Sequence, residues 1–148
     1  MIAIGCDHAG FEMKQQLMEY LKSIGEEYVD KGFLVFDRND NYPEIAKEVG
    51  KAVDSGEADR GILICGTGIG MSLCANKFRN VRAVVASDVF SVQYSRMHNN
   101  ANVICFGARV MGIGLVKELL NVFLHQEFEG GRHADRVAEF TKVWDDRK

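Results

Sequence analysis

Short apolar runs alternate with amphipathic segments along the whole chain. The apolar runs predict five strands, at residues 2–6, 26–29, 61–65, 82–86 and 102–106. The segments between and after them predict helices at 10–24, 43–53, 69–78, 88–98, 113–124 and about 134–145. In the second helix the apolar side chains recur at the 3.6-residue spacing of one buried helical face, as Ile45, Ala46, Val49, Ala52 and Val53.

Strands that are apolar throughout and separated by helices indicate a parallel sheet covered on both faces. We therefore predict an α/β fold, a three-layer α/β/α sandwich with a five-stranded parallel sheet that is Rossmann-like and doubly wound. No linker interrupts the pattern, so we expect residues 1–148 to form a single domain. Ligands of such sheets bind beyond the carboxyl ends of the strands, where the strand order reverses.

Composition and charge narrow the class of partner. A net charge of −3 over 148 residues gives no electrostatic basis for binding nucleic acid or an acidic membrane surface. No apolar stretch approaches the roughly 20 residues that span a bilayer. The N-terminus carries neither a basic flank nor a cleavage-site pattern, so we expect a cytoplasmic protein.

The segment 61–72 carries the most specific chemical signal. Cys65 ends a predicted strand, and Gly66, Gly68 and Gly70 follow at every second position before a predicted helix. Exposed backbone N–H groups and a helix N-terminus lower the pKa of a thiol and stabilise negative charge. The spacing favours an anion or oxyanion cradle with a thiolate base beside it. A tight turn with a buried cysteine is the structural alternative.

Three other uses of such a loop fit the residues less well. A dinucleotide fingerprint reads G-x-G-x-x-G, and Gly70 falls one residue too early for it. A nucleotide-binding P-loop ends in Lys followed by Ser or Thr, and that ending is missing. A cysteine phosphatase needs an arginine six residues after its nucleophile, where Met71 offers no guanidinium.

Polar residues at the ends of other elements are further candidates. Asp7 and His8 follow the first strand and could hold a hydroxyl or an anion, or simply cap the next helix. His98 ends a helix, where it could act as a general acid or base near neutral pH. The alternative there is a polar helix end with Asn99 or Asn100 as its cap.

Arg132 and Arg136 lie four residues apart at the start of the last helix, which places both on one face. Two like charges at that spacing, near a positive helix end, are unfavourable unless an anion lies between them. The pattern indicates a phosphate clamp, with ion pairing to nearby carboxylates as the alternative. Cys6 and Cys105 end apolar runs and are expected to be inert core residues. The chain has no C-x-x-C pair, which argues against a structural zinc site.

Taken together, these motifs resemble the ribose-5-phosphate isomerase B family of the ribose/galactose isomerase superfamily. The resemblance runs from residue 2 to about residue 140. The matching motifs, in chain order, are GCDHAGF at 5–11, DNYP at 40–43, ICGTGIG at 64–70, ANK at 75–77, HNNAN at 98–102, FGAR at 106–109 and EGGRH at 129–133.

The resemblance implies a metal-independent isomerase without a cofactor that interconverts ribose 5-phosphate and ribulose 5-phosphate through an enediolate. It implies that Cys65 is the proton-abstracting base and that His98 assists ring opening with Asp7. Met71 stands where one branch of the family has a glutamate base, so the chain resembles the cysteine branch. The resemblance also implies a cradle for the enediolate and contacts to the sugar and phosphate, made by Gly66, Thr67, Gly68, Ile69, Gly70, His8, Asn99, Arg109, Arg132 and Arg136.

The resemblance further implies a homodimer, or two dimers paired into a tetramer, with sites at the dimer interface. We expect His98, Asn99 and Arg109 to come from one subunit and Cys65 from the other. The C-terminal helix at about 134–145 either packs on a partner subunit or caps the core of its own chain. Two alternative functions stay open: an isomerase of allose 6-phosphate or galactose 6-phosphate, and a non-catalytic module that binds a phosphate or nucleotide.

Overall fold

The computed structural model describes residues 1–32 and 42–147. Its strands form one sheet in the order β2-β1-β3-β5-β4, and every neighbouring pair is parallel. This confirms the predicted five-stranded parallel sheet. The strands are β1 Ile2–Cys6, β2 Tyr28–Asp30, β3 Arg60–Cys65, β4 Ala83–Val85 and β5 Val103–Gly107.

Within residues 1–32 and 42–147, six α-helices connect or follow these strands. They are α1 Phe11–Ser23, α2 Tyr42–Asp54, α3 Ile69–Ala75, α4 Val89–Met97, α5 Ile113–His125 and α6 Arg132–Asp145. A single 3-10 turn, His8–Gly10, joins β1 to α1. Residues 33–41, which include Asp40 and Asn41 of one predicted motif and most of a predicted loop, lie outside the described residues.

The helices cover both faces of the sheet, as the three-layer prediction requires. Along β3, Ile62 and Ile64 face the layer that holds α1, α4 and α5, whereas Leu63 and Cys65 face α2 and α3. This alternation follows from the two-residue period of a strand. Both faces are buried, which explains why β3 is apolar along its length.

Two element boundaries differ from the sequence prediction for identifiable reasons. β2 extends to Asp30, where the Lys14 ammonium lies 2.9 and 3.0 Å from the two carboxylate oxygens. α3 ends at Ala75 instead of residue 78. There the Asn76 side chain exchanges hydrogen bonds of 2.9 and 2.8 Å with the backbone of Ala83, which turns the chain towards β4.

Helix α6 contacts the rest of the chain sparingly. His133 is the one buried residue among its fourteen, all of them described. The Arg79 guanidinium lies 2.8 Å from the Asp145 carboxylate, and the Trp144 indole donates to the carbonyl of Lys77 at 3.2 Å. Phe140 is 48% exposed. α6 therefore leaves most of its apolar side chains uncovered within its own chain.

The strand order reverses between β1 and β3, because the chain extends the sheet outward from β1 to β2 and then returns to the other side of β1. A crevice beyond the carboxyl ends of two such strands is the usual ligand site of an open parallel sheet. β1 ends at Cys6 and β3 ends at Cys65, so their loops flank this point. In the part of the chain that the structure describes, no helix combines the length and apolarity needed to cross a membrane.

Candidate active site

The cysteine loop, residues 65–70, lies at the carboxyl end of β3. The thiol of Cys65 is buried and accepts a 3.1 Å hydrogen bond from the backbone N–H of Gly68. A hydrogen bond from an N–H group favours the negatively charged form of its acceptor. The loop thus directs at least one backbone donor at the sulfur that the sequence identifies as the base.

Two positions in this region require glycine, because the backbone of a neighbouring segment lies too close for a side chain. Gly68 has φ +82°, and a Cβ there would lie 3.1 Å from the carbonyl carbon of Phe106. A Cβ on Gly107 would lie 2.7 Å from the carbonyl oxygen of Thr67. Any larger residue would push the cysteine loop away from the end of β5. The predicted tight turn is therefore present, and the anion cradle stays a prediction.

The end of β5 fixes the cysteine loop from its other side. The N–H groups of Ala108 and Arg109 donate to the carbonyls of Cys65 and Gly66 at 2.8 and 3.0 Å. The guanidinium of Arg109 lies over Gly66, with its Nη1 3.4 Å from the position of a Cβ on that glycine. Arg109 therefore belongs to the same edge of the same chain as Cys65. The prediction that grouped it with His98 and Asn99 is wrong on this point.

Asp7 and His8 follow β1 at the same edge. One carboxylate oxygen of Asp7 accepts hydrogen bonds from the N–H groups of Ala9 and Gly10, at 2.9 and 3.2 Å. The predicted cap at this position is thus present. It fixes the carboxylate of Asp7 beside the switch point and leaves the predicted chemical role as a prediction.

A cavity of about 250 Å³ opens beside the cysteine loop. Thr67 lines it, and its hydroxyl oxygen accepts a 3.3 Å hydrogen bond from the N–H of Ile69, the first residue of α3. Met71, by contrast, is fully buried in the core, so its side chain does not reach this space. The other lining residues are mainly apolar: Ile69, Val85, Ala86, Ser87, Gly107, Val110 and Met111.

A second group of polar side chains, the histidine cluster, consists of His98, Glu129 and His133. One carboxylate oxygen of Glu129 lies 3.4 Å from Nε2 of His133 and 3.7 Å from Nε2 of His98. The two imidazole rings stack with centroids 4.0 Å apart and planes 10° apart. Tyr94, one turn earlier on α4, packs edge-on against His98 at 4.9 Å.

Burial and charge act together on His133. Its side chain is only 7% exposed, and this burial lowers its pKa below 6.5. Repulsion from His98, Arg132 and Arg136 lowers the pKa further, and the attraction of Glu129 opposes the change without reversing it. Burial and repulsion between cations therefore favour the neutral form of His133.

Arg96 holds the two segments of the histidine cluster together. Its buried guanidinium donates to the carbonyls of Gln126 at 3.1 Å and Ala101 at 2.6 Å, and to the side chain of Asn100 at 2.9 Å. Burial lowers the pKa of Arg96 to about 10, with repulsion from two other arginines as a smaller cause. The group still carries its charge at neutral pH, which suits three hydrogen bonds to oxygen acceptors.

Arg132 and Arg136 are exposed at the start of α6, beside the histidine cluster. Among residues 1–32 and 42–147, no carboxylate lies within 4.0 Å of either guanidinium. The structure thus gives no support to the ion-pair alternative within this chain. Both groups remain able to receive an anion.

The cysteine loop and the histidine cluster lie at opposite ends of the strands. The cysteine loop is at the carboxyl ends and the histidine cluster is at the amino ends. Cys65 is paired with Gly107, the last residue of β5. His98 and Asn99, however, precede Val103, the first residue of β5. The five residues of β5 rise about 3.3 Å each, so the two ends of this strand lie roughly 16 Å apart. The predicted site residues therefore form two groups in one chain and do not meet there.

Asn99 belongs to neither group directly. It lines a groove of about 340 Å³ that runs between the end of α3, the edge strand β4 and α6. Phe140 and Trp144 form the α6 wall of this groove. The predicted sugar-binding asparagine is thus next to the exposed apolar face of the last helix.

The histidine cluster offers the donor set of a metal site but not its geometry. The nitrogens and oxygens of its three side chains lie within 4.8 Å of one another. A histidine nitrogen binds zinc in the plane of its ring at about 2.1 Å. Because the two rings are stacked and nearly parallel, one ion cannot lie in both planes. These residues as arranged do not fit a metal ion.

The remaining cysteines take no part in either group. Cys6 and Cys105 are buried, as predicted for core residues. Burial raises the pKa of the Cys105 thiol, with electrostatic interaction with the Cys65 thiol group as a smaller cause. Cys74 is half-buried on α3 and donates weakly to the carbonyl of Pro43 at 3.7 Å.

Sequence reasoning missed two residues of the histidine cluster. Both belong to the EGGRH motif at 129–133, in which neither residue received a role of its own. Their spacing of four residues is a weak signal, because Glu129 precedes α6 and the contact forms across the turn at Gly130 and Gly131. Their contact with His98 depends on how α5 returns the chain to α4, which no local pattern predicts.

Comparison with known proteins agrees with this geometry. A sequence model of the ribose/galactose isomerase family matches residues 2–140. The chain is 49% identical to ribose-5-phosphate isomerase B of Escherichia coli, over 96% of this chain and 95% of that protein. It is 43% identical to the galactose-6-phosphate isomerase subunit LacB of Clostridium acetobutylicum, over 87% of this chain and 74% of that protein.

Among solved structures, ribose-5-phosphate isomerase B of Mycoplasma genitalium with bound ribulose 5-phosphate is similar to the chain. The TM-score is 0.94 at 36% identity, and the match covers 99% of this chain and 97% of that one. The matched residues include both the cysteine loop and the histidine cluster. The chain belongs to the ribose/galactose isomerase family.

Proposed function

We propose that this chain interconverts ribose 5-phosphate and ribulose 5-phosphate through an enediolate, with Cys65 as the base. The observation that carries the proposal is the position of the Cys65 sulfur. It lies in a glycine loop at the switch point of the sheet and accepts a backbone hydrogen bond from Gly68 at 3.1 Å. The close relationship to an isomerase of this substrate supports the same reaction.

The proposed chemistry transfers one proton between carbon atoms and one between oxygen atoms. The Cys65 thiolate removes the proton from C2 of the open-chain aldose, and the electron pair moves onto the carbonyl oxygen at C1. The thiol then returns a proton to C1, while Thr67 passes a proton from O2 to O1. N–H groups of Gly66, Gly68, Ile69 and Gly70 and the Thr67 hydroxyl stabilise the enediolate.

Ring opening must come first, because the aldose 5-phosphate is a closed furanose for most of the time. The bond between C1 and the ring oxygen breaks as His98 donates a proton to that oxygen. The anomeric hydroxyl loses its proton to a carboxylate, a role that we assign to Asp7, which the backbone holds at the end of β1. The product is the aldehyde on which Cys65 acts.

Binding of the phosphate and the sugar hydroxyls supplies the orientation. Arg132 and Arg136 act as a clamp for the phosphate, since they are exposed four residues apart without a carboxylate partner in the described chain. His8 and Arg109 reach the substrate from the cysteine side, and Asn99 contacts a sugar hydroxyl. Binding energy from the distant phosphate holds C1 and C2 against the base.

The two groups require two chains to make one site. We propose a homodimer in which the cysteine loop of one subunit faces the partner subunit's His98, Asn99, Arg132 and Arg136. Their separation by the full length of β5 supports this arrangement. Further support comes from large apolar side chains that are more than half exposed around the cysteine loop and on α6: Ile69, Leu73, Phe90, Val110 and Val143. A tetramer and a cytoplasmic location stay predictions of the sequence.

The proposal is tested by proton NMR of ribose 5-phosphate in D₂O. We expect wild type to form ribulose 5-phosphate with deuterium at C1, and Cys65→Ala to form none. Cys74→Ala is the matched control, because it removes the same atoms from the helix that follows the loop. The steps use no metal ion or cofactor, so we expect dialysis against EDTA to leave the rate unchanged.

Each other outcome has a definite meaning. Full activity of Cys65→Ala would contradict the role of the thiolate while leaving the isomerase in place. Failure of wild type on ribose 5-phosphate but success on allose 6-phosphate or galactose 6-phosphate would favour a hexose phosphate isomerase, which the LacB relative makes worth testing. Failure on all three substrates would favour a non-catalytic phosphate-binding module.

A further inference from the structure

The histidine cluster contains a charge arrangement that the proposed reaction does not yet use. Glu129 presents one carboxylate oxygen to the Nε2 atoms of both His98 and His133, at 3.7 and 3.4 Å. Within the described chain, no other carboxylate lies within 4.0 Å of either ring. The two imidazoles thus share one negative group.

Different groups face the two rings. Around His133 these groups are Glu129, His98, Arg132 and Arg136, and the burial of the ring is the largest cause of its lowered pKa. His98 is a third exposed and meets Glu129 on one side and the uncharged ring of Tyr94 on another. The carboxylate therefore lies between a buried ring that disfavours a charge and a more solvated ring.

The stacking adds an orientation to this charge. A neutral, buried His133 ring lies parallel to the ring of His98 at a centroid distance of 4.0 Å. The hydrogen bond from the Glu129 N–H to the Met97 carbonyl, 3.0 Å long, fixes the carboxylate-bearing residue against the end of α4. The ring of His133 thus holds the plane of His98, and the end of α4 holds the residue that carries the carboxylate.

We propose that Glu129 and His133 are positioning residues that set the plane of the His98 ring and hold a carboxylate beside its Nε2 atom for ring opening. This inference rests on the proposed function, because it assigns a cause to the acid role of His98. Its consequence is selective. The variants of this pair slow the opening of a closed furanose, and they leave the proton transfer at Cys65 unchanged.

One substrate pair separates the two steps. Ribose 5-phosphate closes a furanose through its C4 hydroxyl and must be opened. Ribulose 5-phosphate has its carbonyl at C2 and its C5 oxygen esterified, so it cannot close that ring. Exchange of its C1 proton with D₂O therefore reports the enediolate step alone. Both rates are measured by proton NMR on the same full-length protein.

The decisive variant is Glu129→Gln, which removes the charge and keeps the shape. We expect turnover of ribose 5-phosphate to fall roughly ten- to hundredfold, while exchange into ribulose 5-phosphate stays within about twofold. Glu129→Asp keeps the negative charge, and we expect it to restore turnover of ribose 5-phosphate at least in part.

Two further variants calibrate the result. Glu127→Gln removes the same charge from an exposed position two residues away, and we expect both rates to match wild type. His98→Asn removes the proposed acid itself. Its turnover of ribose 5-phosphate is the lower limit that the turnover of Glu129→Gln approaches. Circular dichroism and unfolding in urea show that each variant is folded before its rates are compared.

The proposal is overturned if Glu129→Gln slows both rates equally, since that is the signature of a structural role, or if it slows neither. Equal loss of both rates in His98→Asn would remove the acid role on which the inference depends. If wild type catalyses neither reaction, the proposed function fails first, and that outcome is visible before any variant is made.

Discussion

The cysteine loop is held in place by backbone, whereas the histidine cluster is held in place by side chains. At the cysteine loop, hydrogen bonds from Ala108 and Arg109 and the absence of a Cβ at Gly107 bring two strand ends together. At the histidine cluster, Arg96 and Glu129 join segments that share no sheet. The proposed base thus lies between two strand ends, and the proposed acid lies in a segment outside the sheet.

This difference explains how the two groups can meet. In the proposed dimer, the cysteine loop stays part of the sheet, and the partner subunit brings the second group to it. The uncovered helix α6, with one buried residue in fourteen, is the part of the molecule that can make that contact. Side-chain contacts such as those of Arg96 then keep the peripheral group ordered before the chains associate.

Mixing two inactive variants is the strongest test of whether one site takes residues from two chains. We expect Cys65→Ala and His98→Asn each to be nearly inactive on ribose 5-phosphate. Refolded together in equal amounts, half of the dimers pair one of each and contain one intact site, so activity returns to about a quarter of wild type. Steady-state assays before and after mixing measure the recovery. Mixing without recovery would place the complete site in one chain and contradict the shared arrangement.

Gly107→Ala is expected to damage the cysteine loop alone. The added Cβ would meet the Thr67 carbonyl oxygen at 2.7 Å, so the free energy of unfolding falls by about 1–3 kcal/mol. Isomerisation is lost with it because the N–H donors move away from Cys65. Gly114→Ala on α5 is the matched control, since a Cβ there meets nothing within 4 Å. Urea unfolding compares the two, and equal stability would show that the close approach is not rigid.

Arg136→Gln is expected to weaken substrate binding from the histidine side. The loss of one guanidinium from the proposed clamp raises KM for ribose 5-phosphate roughly tenfold or more, with a smaller change in kcat. The inhibition constant of inorganic phosphate, used as a competitive inhibitor, rises by a similar factor. Lys142→Gln removes a positive charge elsewhere on α6, where it pairs with Glu139, and leaves KM unchanged. An unchanged KM in Arg136→Gln would place the phosphate elsewhere.

The smallest expected effect concerns pH and His133. Burial and neighbouring cations lower its pKa in the folded state below the unfolded value of 6.5, so the unfolded chain binds the proton more readily. The stabilisation is complete above about pH 6.5 and is lost as the pH falls towards the folded value. His133→Asn should therefore reduce the loss of unfolding free energy between about pH 7.5 and about pH 5. Urea unfolding measures it.

His125→Asn is the matched control for that measurement. His125 is exposed at the end of α5, with its ring nitrogen 2.8 Å from the Asn121 carbonyl oxygen. We expect its variant to keep the wild-type dependence of stability on pH. The same dependence in His133→Asn as in wild type would show that the burial of His133 does not govern its protonation.

Much of the fold could be predicted because it follows from local pattern. Apolar runs of strand length and helical spacing located every element, and their alternation implied the parallel sheet. The errors fell at element ends, where Asn76 binds Ala83 and Asp30 binds Lys14 across the chain. Such contacts join residues that are far apart in sequence, so no local pattern contains them.

The candidate site could also be predicted only where it depends on residues that are neighbours in sequence. The thiol, the glycine spacing and the Asp7–His8 pair are consecutive residues at strand ends, and the sequence alone identified them. The grouping of Arg109 with His98 was wrong, because β5 places one residue after its end and the other before its start. The roles of Glu129 and His133 depend on a contact between α4 and the segment after α5.

By itself the sequence determined the fold class, the cysteine loop and the family, because each depends on residues that are neighbours in the chain. The tertiary structure decided which residues share an edge, which histidine is buried beside a carboxylate, and that one chain holds two separate groups. The physical reason is that burial, stacking and charge act through space over a few ångströms, and only the folded chain sets those distances.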